Sequence, residues 1–130
     1  MERTFSFFTP NEKRKVKMTA VDFIRRKKVI LDVDTGIDDA IAILLALASP
    51  ELEVLGITTV SGNIDLDSAT KNTLKILKLI GREEIPVFKG AEKPLWRGIR
   101  YAKEVHGNCG LAGQLGEMVT GEAQSVSAGD

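Results

Sequence analysis

A single cysteine, Cys109, in 130 residues excludes an internal disulfide, so burial and hydrogen bonding must hold the fold. That cysteine count is compatible with a reducing compartment. No apolar run is long: the longest, from Ala40 to Ala48, falls far short of the roughly 20 residues needed to cross a bilayer, and it reads instead as a buried helix. The amino terminus lacks the apolar stretch of a secretory signal, and a cytoplasmic location is expected. Histidine occurs once, as His106, and no segment repeats. There is also no net charge, although the zero conceals an asymmetry. Residues 1–28 hold nine Lys/Arg against three acids, and the remainder carries the compensating acidic excess. A basic arm could touch nucleic acid or an anionic membrane, but a solvated extension over residues 1–27 is the simpler reading, with neither partner expected.

What is present is an alternation of short β-branched runs with helical patterns. Val29–Asp34 reads as a buried strand, and the turn Thr35–Gly36–Ile37 follows it. A helix from about Asp38 to Ala48 carries two acids in its first turn, where the helix dipole favours negative charge. It is apolar nearly all round and should be covered on most sides. Ser49–Pro50 ends it. Leu52–Val60 reads as a second strand, and Ser61–Gly62–Asn63 as the turn at its carboxyl end. Asp65 or Asp67 can cap a second helix that runs to about Ile80, with Ala69, Thr73, Ile76 and Ile80 on one stripe and Gly81 suited to the position just past its end. Ile85–Phe88 is a third short strand. Residues 112–130 lose apolar periodicity and fill with Gly, Ala, Ser and Glu, which reads as a poorly ordered, divergent tail. The α/β region is therefore placed at 28–111.

Strand–helix–strand–helix–strand predicts an α/β fold with a Rossmann-like parallel sheet and flanking helices. Ligands of such sheets bind beyond the carboxyl ends of the strands. The loops 32–39 and 61–63 both fall there, which places Asp34 near Asn63. Asp32, Asp34, Asp38 and Asp39 occupy eight positions of chain. Carboxylates packed that closely repel one another, so either several hold protons or a cation neutralises them. An all-oxygen set suits a hard cation, Ca²⁺ or Mg²⁺, rather than zinc. Gly36 permits the tight turn that brings strand-end and helix-start carboxylates together.

The stretch VILDVDTGIDDAIAILLAL resembles the amino-terminal signature of the inosine-uridine preferring nucleoside hydrolases, whose usual pattern is Asp-x-Asp-Pro-Gly-x-Asp-Asp-Ala. ITTVSGN, GAEKPLWRG and VHGNCGL resemble later stretches of that family, in the same order and at matching spacing. The resemblance spans roughly residues 28–111. It implies the amino-terminal part of the nucleoside hydrolase fold and Ca²⁺-dependent cleavage of the N-glycosidic bond of purine or pyrimidine ribonucleosides, giving ribose and free base.

Carried over residue by residue, the resemblance implies that Asp34 and Asp39 ligate Ca²⁺ and that Asp34 takes a proton from the attacking water. It implies that Asp38 hydrogen-bonds a ribose hydroxyl, that Asp32 supports the site from beside it, and that Asn63 lies against the ribose. His106 would sit near the mouth of the site. The chemistry is coherent, because cleavage passes through an oxocarbenium-like sugar that nearby carboxylates stabilise. Thr35 departs from the pattern by standing where proline is usual. Family members are usually more than twice as long and take their remaining calcium ligands and ribose contacts from later sequence. The resemblance therefore implies an amino-terminal portion with about half a calcium shell, and dimers or tetramers for full-length members.

Two other readings compete. Asp32–Val33–Asp34 after a hydrophobic strand also resembles the nucleophile loop of haloacid-dehalogenase-like phosphatases, although Ile37 followed at once by Asp38–Asp39 favours the hydrolase. The third reading is a non-catalytic, metal-binding fragment.

Overall fold

The computed structural model describes residues 26–93, 96, 98, 111, 116 and 120–129. His106 and the basic arm up to residue 25 lie outside the described residues. The elements run β1 (Lys27–Val33), α1 (Ile37–Ala48), β2 (Leu52–Thr59), α2 (Leu66–Leu79) and β3 (Val87–Lys89). The three strands are parallel in the order β1-β2-β3. Val33 is in register with Thr59, and Thr59 with Lys89, so all three carboxyl ends finish level. The loops that leave those ends lie side by side as a consequence.

Both crossovers fall on one face of the sheet, as right-handed connections to successive neighbours require. One core contains Val33, Ile57 and Val87 from the strands, Ile43 and Leu47 from α1, Ile76 and Leu77 from α2, and Leu111 from the later chain. Each of these larger side chains contributes roughly 1.5–3 kcal/mol through removal from water. The strands alternate inward and outward, so the opposite face carries Ile30 and Leu55, both exposed among the described residues. Leu55 is the extra residue where the β1–β2 register shifts between Val29 and Ile30. Beyond it, Gly56 leaves room for Phe88, since a Cβ there would stand 3.3 Å from the ring.

The covering expected for α1 is not what the structure has. Only Ile43 and Leu47 of the helix are buried, while Ile41, Leu44 and Leu45 remain exposed among the described residues. The reason lies in the topology: with both helices on one face, α1 has the sheet on one side and nothing described on the other. No helix among the described residues is long and apolar enough to cross a membrane.

The ends of α2 follow simple chemistry. Asp65, not Asp67, is the cap: its Oδ1 accepts the Ser68 amide at 2.8 Å, and its Oδ2 accepts the Ser68 hydroxyl at 2.8 Å. Asp67 instead pairs with Lys89 in solvent. Gly81 ends the helix at φ +66°. Its amide donates to the Lys78 carbonyl, and the Arg82 amide donates to the Leu77 carbonyl at 2.8 Å, the paired bonds of a Schellman ending. Of the composition-poor segment after residue 111, residues 120–129 are described. There the Gln124 amide donates to the Val87 carbonyl and the Ala128 amide to the Lys89 carbonyl, each at 2.8 Å, along the outer side of β3.

The Ser68 amide, first among its causes, holds the Asp65 carboxyl below the usual range. A depressed folded pKa means that this stabilisation is present above the unfolded value and is lost as pH falls through the folded one. Asp65→Ala is therefore expected to cost about 1 kcal/mol in urea unfolding at pH 7, and the gap to the parent should narrow toward pH 3.

Candidate active site

Asp34 is the first residue after β1, half-buried at the level carboxyl edge. Thr35 and Gly36 behind it are buried, and α1 starts at Ile37. Gly36 occupies the cap position of α1 and supplies no side chain to it. Asp39, in the first turn, turns back instead: its Oδ2 accepts the Asp34 amide at 3.1 Å. This bond ties the first turn of α1 back to the end of β1. From the neighbouring loop the Asn63 backbone amide donates to Asp34 Oδ2 at 2.6 Å. The proximity of Asp34 and Asn63 expected from topology is present, through the backbone of Asn63.

The carboxyls of Asp34 and Asp39 lie close enough to act on each other. Asp39 is accordingly pushed up to about 6, first by its burial, then by the bond to Asp34 and by the negative charges of Asp34 and Asp38, against the lowering effect of the Asp34 amide. Asp38 is exposed, one position before Asp39 in the first turn of α1. Asp32 lies on the bare side of the sheet, where its Oδ1 accepts the Thr58 hydroxyl at 2.6 Å. The four aspartates therefore do not converge on one point. Asp34 and Asp39 meet, Asp38 stands beside them, and Asp32 belongs to the outer face. Among the described residues no group of three or more His, Cys, Asp or Glu gathers as a metal site. The Asp34–Asp39 pair offers carboxylate oxygens of the kind a hard cation takes, fewer than the six to eight that Ca²⁺ needs.

Three further residues shape this site without having stood out in the sequence. Gly62 packs directly on Asp34: a Cβ at Gly62 would lie 2.9 Å from Asp34 Cγ and closer still to its Oδ2. Thr73 and Asn72 of α2 reach the turn at Thr35, with Thr35 Oγ1 2.7 Å from Thr73 Oγ1 and Asn72 Nδ2 donating to the Thr35 carbonyl at 3.2 Å. A similar hydroxyl pair, Thr59–Thr70 at 2.8 Å, ties α2 to the end of β2. The available signal was Thr70 and Thr73 at helical spacing on a stripe that is otherwise apolar.

The sequence profile described as "Inosine-uridine preferring nucleoside hydrolase" matches residues 29–129. The chain belongs to that family. It is 48% identical over 102 residues to the pyrimidine-specific ribonucleoside hydrolase RihA of Shewanella sp. (strain MR-7), a match covering 78% of this chain and 32% of the relative. It is 48% identical over 91 residues to the probable uridine nucleosidase 2 of Arabidopsis thaliana, covering 68% of this chain and 28% of that protein. Among solved structures, a plant nucleoside hydrolase (PpNRh1) superposes with a TM-score of 0.74 at 42% identity, covering 79% of this chain and 33% of its own. The purine-preferring ribonucleoside hydrolase of Gardnerella vaginalis superposes at 0.70 with 37% identity, covering 78% and 34%. This member of the family spans about a third of the length of such relatives.

Two predictions come from this geometry. Gly62→Ala is expected to push the Asp34 side chain off the Asn63 amide, seen as faster hydrogen exchange at Asn63 while core amides such as Ile57 stay protected; unchanged exchange at Asn63 would sink the packing argument. For Asp39, a raised folded pKa means that the folded chain binds the extra proton between the ordinary value of 3.8 and about 6. Its contribution in the metal-free chain therefore favours folding as pH falls through that window and is lost as pH rises above it. Asp39→Asn removes that slope, so urea unfolding at pH 5 and pH 7.5 should show the variant gaining on the parent at the higher pH.

Proposed function

We propose that this chain carries the acid-bearing, amino-terminal part of a Ca²⁺-dependent ribonucleoside hydrolase, which cleaves the N-glycosidic bond to release ribose and base. The observation that carries the reading is the Asp34–Asp39 carboxyl pair, fixed by the Asn63 amide at the carboxyl edge of a parallel sheet. Like charges brought together that way repel each other, and a divalent cation would neutralise them. Ca²⁺, when bound, would be held by Asp34 and Asp39 and would supply positive charge that acidifies and orients the attacking water.

The chain's own groups do the rest. Asp34, held from below by Asn63, is placed to accept a proton from that water. Asp38, exposed at the start of α1, is placed to receive a ribose hydroxyl. Negative charge along this edge favours the cationic character that the sugar develops as the bond breaks. The substrate class is ribonucleoside, because 2′- and 3′-hydroxyls suit an oxygen-rich cation site. Relatives named pyrimidine-specific and purine-preferring both match, so the shared part of the site is assigned to the sugar and not to the base. Asp32 supports the region from the outer face, and His106 is assigned to the mouth of the site. The exposed apolar faces of β1, β2 and α1 favour association, and a homo-oligomer is the proposed assembly of the whole protein.

A second reading is favoured by one observation, that no group of three or more His, Cys, Asp or Glu gathers among the described residues. On that reading the chain binds Ca²⁺ through the same pair without turnover. Incubation with inosine, uridine and p-nitrophenyl phosphate, with Ca²⁺ and then with EDTA, separates the possibilities. Ribose release that stops with EDTA and in Asp34→Ala is the expected outcome. Ca²⁺ binding by calorimetry without release supports the second reading, whereas phosphate release or no Ca²⁺ binding overturns both.

A further inference from the structure

Thr35 sits where the aspartate motif of related sequences usually has proline, and its surroundings indicate what it does there. The residue is fully buried, although it belongs to a turn between a strand and a helix. Its hydroxyl meets that of Thr73 at 2.7 Å. The Thr73 hydroxyl also lies 3.0 Å from the Ala69 carbonyl, to which it can donate while accepting from Thr35. The Thr35 carbonyl is occupied as well, accepting from Asn72 Nδ2 at 3.2 Å. Both faces of one turn residue are thus gripped by adjacent residues of α2, and Asn72 and Thr73 are themselves buried.

The turn needs such a hold. Proline at this place fixes its own φ and restricts the residue before it, which here is Asp34. Threonine does neither, and the next residue is Gly36, the least restrained of all. The two acids on either side of the turn repel each other whenever both are charged. We infer that Thr35 is a positioning residue, whose clasp by Thr73 and Asn72 replaces the restraint of a proline ring and holds Asp34 opposite Asp39. The inference rests on the reading of Asp34 and Asp39 as a cation-binding pair. It makes the site in this chain depend on the docking of α2, through side chains that never reach the substrate edge.

The test compares Thr35→Val, which keeps the shape and removes the donor, with Thr35→Ser and Thr35→Pro in the full chain. Hydrogen exchange at the Asp34 and Asn63 amides reads the turn without any metal, and Ca²⁺ calorimetry reads the pair. Thr35→Val should speed exchange at both amides and weaken Ca²⁺ binding, each about five- to tenfold, the range expected for a lost buried hydrogen bond. Thr35→Ser keeps the donor and Thr35→Pro restores the restraint by another route, so both should stay within about twofold of the parent on either readout.

Unchanged exchange in Thr35→Val overturns the inference. So does a uniform acceleration that includes Ile57 and Val87, because that would mark a purely structural hydrogen bond. Failure of Thr35→Pro to match Thr35→Ser also counts against it. If Thr35→Val does not fold, Thr73→Val breaks the same clasp from the helix side and is read in the same way. A parent that binds no Ca²⁺ yet shows the expected exchange pattern removes the cation reading and leaves the clasp standing.

Discussion

Two carboxyl groups, Asp34 and Asp39, are held against each other at the end of a parallel sheet, and much of the surrounding structure exists to keep them there. Left to itself the pair would separate, because burial and like charge both penalise the doubly ionised form. The restraints come from four directions. The Val60 amide bonds the Val33 carbonyl just below the turn, the Asn63 amide holds Asp34, the Asp34 amide holds Asp39, and α2 grips Thr35 from behind. The first two join the ends of β1 and β2 and need those ends level. The parallel register is therefore a condition of the site as well as a feature of the fold.

This arrangement sets stability against function in one place. Two carboxyls close together in a partly dry setting are a liability for the folded chain at neutral pH, whatever use they are put to. Surrounding contacts therefore have to fix the geometry. The hydroxyl pairs Thr35–Thr73 and Thr59–Thr70 serve that end: both link α2 to a strand terminus, and all four side chains are buried with their hydroxyls bonded.

Much of this was legible in the sequence. β-branched runs bounded by turn residues located the three strands, and their parallel order put both marked loops at the carboxyl edge, which is why Asp34 and Asn63 could be placed together. Gly81 announced the end of α2 because only glycine takes that backbone conformation without penalty. Other features were hidden for physical reasons. Asp32 and Asp34 look equivalent along the chain, but one lies on the outer face with Thr58 and the other at the edge, and spacing alone does not separate them. The nearly all-round apolar character of α1 implied covering on most sides, whereas burial depends on what lies beyond the helix, which no local pattern records. Thr73 looked like a tolerated polar residue on a core stripe, and its partner Thr35 is 38 positions away. The packing of Gly62 on Asp34 is likewise a contact between distant loops.

The two borders of the sheet are finished differently. Beyond β3, the Gln124 and Ala128 amides take up the Val87 and Lys89 carbonyls, so that margin has little bonding capacity left to offer. Among the described residues β1 is the other margin, and it begins with Lys27 and Lys28, both exposed, and carries Asp32 on its outer face. Charges spaced along an open strand are how natural sheets discourage a second chain from zipping on in arbitrary register. With one border filled and the other electrically marked, any strand that extends this sheet has to arrive at β1 with side chains that answer two lysines at one end and an aspartate at the other, so the chain itself sets terms for what may join it.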